Sequence, residues 1–168
     1  MEKFEIVRSG HMRFMGKSIY TGNKTSFGCF DNLHDFLWKQ SEGVFRALDE
    51  IKEYACGEVH NAVLFHWEKW DKKNELFGTT IGRFMKADTP IMGNKMDYID
   101  IPAEYIAKGF VKGKYEDRVK LKEVEKMMED ELKRRGYVGM FITAEVFPEA
   151  DENGEFIIGF YIPCNLIL

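Results

Sequence analysis

Residues 61–86, NAVLFHWEKWDKKNELFGTTIGRFMK, hold two runs rich in β-branched and aromatic residues on either side of the polar bridge Asp71-Lys72-Lys73-Asn74. Such a pattern predicts two strands, Asn61 to Trp70 and Leu76 to Lys86, closed into a hairpin. An ungapped shift of 77 residues superimposes Glu68 on Glu145, Ile81 on Ile158, Gly82 on Gly159 and Phe84 on Tyr161. All four matches fall within a second expected hairpin, Phe141 to Phe147 and Phe156 to Ile162, whose loop carries the turn signal Asp151-Glu152-Asn153-Gly154.

The order of elements repeats around these hairpins. In the first half, Phe4 to Arg8 and Arg13 to Tyr20 read as short strands separated by Ser9-Gly10 and able to form a hairpin of their own. A helical stripe follows at Leu33, Leu37, Val44, Leu48, Ile51 and Ala55, with a gap at Gln40-Ser41-Glu42-Gly43 where one helix bends or two meet. Ala87-Asp88-Thr89-Pro90 and Gly93-Asn94 break regular structure and mark the connection between halves. The second half then gives strands Met96 to Ile101 and Tyr105 to Val111 around a turn at Pro102. A helix follows from about Tyr115 to Arg135, with Leu121, Val124, Met128 and Leu132 on one stripe and a stop at Gly136.

The expected fold class is therefore α+β: duplicated βαββ-like modules, about 1–90 and 95–168, within a single domain of 168 residues. They would form an antiparallel sheet with two long helices on one face and a central cleft suited to a ligand.

Composition narrows the function. The chain is 45% hydrophobic and 31% charged, with 14 Phe, 7 Tyr and 3 Trp, which is globular rather than disordered or fibrous. Its net charge of −4, with basic and acidic residues interspersed, argues against direct nucleic-acid binding. The N-terminal residues lack a signal-peptide stretch and no run of about 18 apolar residues could span a membrane, so a cytoplasmic location is expected. Cys29, Cys56 and Cys164 are odd in number, widely spaced and read as reduced thiols. His11, His34, His60 and His66 show no metal-ligand spacing, and Gly22-Asn23-Lys24-Thr25 lacks the core of a phosphate-binding loop, so neither metal nor cofactor is expected. Lys133-Arg134-Arg135 suits a helix C-terminus better than a nucleic-acid patch.

The second half resembles the GyrI-like effector-binding domain, the family of multidrug-sensing transcription activators, AraC-type regulators and the gyrase-inhibitory protein. The residues that carry the resemblance are Tyr98-Ile99-Asp100-Ile101-Pro102-Ala103-Glu104-Tyr105, Arg135-Gly136-Tyr137, Glu145-Val146-Phe147 and Phe160-Tyr161-Ile162-Pro163, with Phe14-Met15-Gly16-Lys17 agreeing in the first half. It implies a pseudo-twofold α+β domain that binds bulky aromatic or cationic compounds, with Glu145 on the penultimate strand as countercharge. The expectation departs from the family in that no winged-helix segment precedes the domain and that Cys164 follows Pro163.

Strand alternation alone allows Glu145 simply to face water, since glutamate is seldom buried. Placed among aromatic rings it would instead offset a ligand cation, or serve as a general acid or base in a hydrolase of toxic electrophilic compounds. A third reading is a protein-interaction role like that of the gyrase inhibitor. Besides Glu145, the candidate ligand-binding residues are its internal counterpart Glu68, with Trp67, Trp70, Tyr98, Tyr105, Phe147 and Tyr161. Trp67 and Trp70, three apart, cannot share a strand face.

Overall fold

The structure, a computed structural model, describes residues 3–22, 43–56, 61–71, 76–93, 96–114, 121–140, 142–146 and 151–167. The chain is α+β. In order, its elements are β1 (Lys3–Arg8), β2 (Met12–Gly22), α1 (residues 43–49), a short 3-10 turn at Lys52–Tyr54, β3 (Ala62–Asp71), β4 (Leu76–Lys86), β5 (Asp97–Ile101), β6 (Tyr105–Gly113), α2 (Leu121–Arg134), β7 (Tyr137–Gly139), β8 (Ile142–Val146) and β9 (Phe156–Leu166). The pairings of β1 with β6, β2 with β4 and β5, β3 with β4, and β9 with β6, β7 and β8 are antiparallel. None of the described helices is long and apolar enough to cross a membrane.

The chain divides into two compact units, Met12–Ile101 and Met1–His11 with Pro102–Leu168. In the first, the strand order is β3-β4-β2-β5; in the second it is β8-β9-β6-β1, with β7 also paired to β9. Matched element by element, these are one topology, and the duplication read from the 77-residue shift extends to strand order. The sequence repeat and the compact unit are nevertheless different divisions of the chain. Each unit takes the leading strand of the other half: β1 pairs with β6, and β5 with β2.

The expected hairpin between Phe4–Arg8 and Arg13–Tyr20 therefore does not form. Gly10 does turn the chain, at φ +65°, and the amides of Ser9 and Gly10 both donate to the Glu104 carbonyl at 2.9 and 3.1 Å. A turn signal reports only that the chain changes direction. Partner choice is decided by packing, and Phe4 and Ile6 of β1 lie against the apolar cluster under α2.

In the unit Met12–Ile101, Val44 and Leu48, one helical turn apart, seat α1 on Met15, Met85 and Met96. The helix ends earlier than its apolar stripe suggested. Ile51 and Ala55 pack on the same cluster from outside α1, and Ala55 bridges to Met85 as a strand-like residue. The first part of the stripe, Leu33 and Leu37, lies outside the described residues.

In the other unit, α2 is built almost wholly from strong helix formers and buries Val124, Met128 and Leu132 against Ala107, Phe160, Ile162 and Cys164. It stops where expected. Gly136 adopts φ +81°, and its amide donates to the Lys133 carbonyl at 3.1 Å, closing the helix C-terminus. The basic residues there turn back on their own helix: Arg134 and Arg135 hydrogen-bond to Glu131 and hold its carboxyl down at about 2. The loop from Asp151 also follows expectation. Gly154 takes φ +75°, and Asp151 Oδ1 accepts hydrogen bonds from the amides of Asn153 and Glu155, each at 2.9 Å.

Candidate functional site

Glu145 is placed by the register of β8 on β9. Ala144 lies opposite Tyr161, and Glu145 lies opposite Phe160. Directly opposed residues project from the same sheet face, and neighbours along a strand alternate. Phe160 belongs to the cluster packed under Val124, Met128 and Leu132, so Glu145 and, two residues earlier, Thr143 face α2. Glu145 is 3% exposed and Thr143 5%. The reading in which Glu145 simply meets water is thereby excluded.

A second carboxyl reaches this face from the helix. The Thr143 hydroxyl donates a hydrogen bond to Glu125, which sits one position after Val124 and three before Met128, on the flank of the buried stripe. Burial pushes the Glu125 carboxyl above its ordinary range, and the nearby charges of Glu129 and Glu145 push it the same way. The Thr143 bond and Lys122 oppose that shift. The α2-covered face of β8 thus joins two carboxyl groups and a hydroxyl to the ring of Phe160 and the apolar side chains of the helix. It can offer a ligand negative charge, hydrogen bonding and an aromatic contact. The thiol of Cys164, in the same cluster, is pushed up to about 11 by burial and is a packing group, not a nucleophile. Among the described residues, no group of three or more His, Cys, Asp or Glu side chains is arranged to hold a metal ion.

The remaining candidates are dispersed. Tyr161 is fully buried but lies opposite Ala144 and Lys108, on the sheet face away from Glu145, with its ring against the edge of Phe110 at 5.8 Å. Tyr105 shares the α2 cluster and packs edge-on against Tyr137 at 5.2 Å. Tyr98 belongs to the unit Met12–Ile101, where the guanidinium of Arg13 covers its ring at 4.4 Å. There it borders an open pocket of about 390 Å³ with Ser18, Gly93, Met96, Asp97 and Ile99. Trp67, Glu68 and Trp70 stand on β3, where the pairing with β4 shifts register between His66 and Trp70; only their backbone is described. Phe147 lies outside the described residues.

Phe160, Thr143 and Glu125 were not singled out by sequence reasoning. Phe160 enters the sequence reading only within Phe160-Tyr161-Ile162-Pro163, where Tyr161 is the expected ligand contact. For Glu125 a signal existed, since it stands at helical spacing from Met128 and Leu132.

No protein-family model and no curated protein matches the chain. Solved structures do. SAV2435 bound to tetraphenylphosphonium aligns over 96% of this chain and 93% of its own, at 10% identity and a TM-score of 0.57. A bacterial transcription regulation protein from Staphylococcus aureus MU50 aligns over 97% and 98%, at 11% identity and a TM-score of 0.56. EcmrR, in a complex with DNA, matches 99% of this chain at 11% identity and a TM-score of 0.53, although this chain spans only 58% of its length.

Proposed function

We propose, from the premise that this chain has the fold of the GyrI-like effector-binding domains, that it binds a bulky aromatic cation with Glu145 as the countercharge, in xenobiotic sensing or sequestration. The observation that carries the reading is the burial of Glu145 on the α2-covered face of β8, directly opposite Phe160. A carboxylate out of water gains far more from a nearby cation than one in water: at about 4 Å the attraction is roughly 4 kcal/mol for an effective dielectric of 20, against about 1 kcal/mol in bulk water. The face of an aromatic ring adds about 0.5–2 kcal/mol. The ligand's own aromatic groups would gain further by leaving water for the apolar residues of α2. SAV2435, with the same fold, is seen with tetraphenylphosphonium, a cation of this chemistry.

The reading is tested by titrating the purified protein with tetraphenylphosphonium and with neutral triphenylphosphine oxide, following the heat of binding by calorimetry. Saturable binding of the cation, at least about ten-fold tighter than that of the neutral compound, is the expected result. Equal affinities, or no saturation by a protein shown to be folded, would remove the reading.

A further inference from the structure

We propose that Glu125 of α2 is a second binding residue of the Glu145 site, and that it makes the site prefer aromatic dications to monocations of the same shape. This rests on the reading of Glu145 as a countercharge. The geometry is that of two elements meeting on one face. Thr143 and Glu145 are two residues apart on β8 and project the same way, which separates their side chains by about 7 Å along the strand. Glu125 accepts a hydrogen bond from the Thr143 hydroxyl, so its carboxyl sits at one end of that span and Glu145 occupies the other. Phe160 lies beside Glu145.

A flat ligand carrying one charge can meet only one of these carboxyls. The other carboxyl then gains nothing from the ligand's charge. A ligand with positive charge at both ends satisfies both. Other charged groups act on Glu125 from the same helix: Glu129 adds to the negative potential and Lys122 subtracts from it. Together with Glu145 and the Thr143 hydroxyl on β8, these are the groups that set its ionisation. Burial and the neighbouring carboxylates raise the pH at which Glu125 ionises, and a second positive charge beside it would favour its ionised form.

Methyl viologen and N-methyl-4-phenylpyridinium are a matched pair, one dication and one monocation with the same two-ring frame. For the wild-type protein near neutral pH, methyl viologen should bind about ten-fold tighter. Glu125→Gln should bring that ratio close to one while changing monocation affinity by no more than about three-fold. With falling pH the wild-type ratio should shrink as Glu125 takes up its proton, above the range of an exposed carboxyl, and Glu125→Gln should show no such trend. The pH series on the wild-type protein reads the same property without any substitution. A wild-type ratio near one throughout, or an equal loss for both ligands in Glu125→Gln, would overturn the role of Glu125 while leaving Glu145 in place. If the folded wild-type protein binds neither of these cations nor tetraphenylphosphonium, the countercharge reading itself fails, and this proposal with it.

Discussion

Gly82→Ala should lower the free energy of unfolding by about 3 kcal/mol or more, seen as a large fall in the denaturant midpoint. Gly82 stands directly opposite Gly16 in the β4–β2 ladder, and a methyl group on either would overlap backbone of the other strand: the Met15 carbonyl from Gly82, the Ile81 carbonyl from Gly16. Backbone cannot rotate away as a side chain can, so the two strands would have to separate where they flank buried Phe14 and Phe84. The same close approach recurs in the other unit, where a methyl on Gly159, the repeat partner of Gly82, would strike the Gly109 carbonyl. Gly10→Ala is the control. It has a left-handed φ of +65° but open space around the added carbon, and should cost only about 1–2 kcal/mol. A loss at Gly82 no larger than that at Gly10 would contradict the account of the strand contact.

Phe84→Ala should cost about 4 kcal/mol in the same measurement. Phe84 and Phe14 are paired in register, both wholly buried, with ring centroids 4.9 Å apart and planes at 80°. Removing either ring leaves a cavity bounded by strands that are tied on both sides and cannot collapse into it. The edge-to-face contact contributes beyond the buried area, and a double-mutant cycle with Phe14→Ala should show a coupling of about 1 kcal/mol. A loss below about 1.5 kcal/mol for Phe84→Ala would mean that the site relaxes in a way the packing does not suggest.

Much of the fold was legible because it is written in local chemistry. Strand β4 runs over Leu76–Lys86, the bounds its apolar pattern predicts, and the ends of α2 and of the Asp151 loop fall at glycines that take left-handed φ. The exchange of β1 and β5 between units was not legible, because Ser9-Gly10 and Pro102 turn the chain without naming the strand it will meet. β7 is only three residues long and follows directly on Gly136, too short to show any alternation. The end of α1 was obscured because Ile51 and Ala55 supply the same apolar cluster from non-helical backbone.

Two features of the sequence draw attention to Glu145: it repeats Glu68 at the shift of 77, and it stands in Glu145-Val146-Phe147, one of the stretches that carry the family resemblance. Which aromatic accompanies it was not legible. A single residue of register moves a whole strand to the opposite face, and the connection from β8 to β9 is too long for a two-residue turn to dictate that register. Phe160 and Tyr161 were thus equivalent in the sequence and stand on opposite faces in the fold. Glu125 stands at helical spacing from Met128 and Leu132, but that spacing alone did not mark it, because an acidic residue beside a helical stripe reads as solvated surface until the strand beneath it is known.

The most direct test of the countercharge is the ratio of tetraphenylphosphonium to triphenylphosphine oxide affinity in Glu145→Gln, compared with wild type. The substitution preserves shape and removes only the charge. The account predicts that cation affinity falls by about 30-fold or more, with neutral affinity changed by less than about three-fold, so that the ratio approaches one. An unchanged ratio in a folded variant would show that the charge of Glu145 plays no part in recognition.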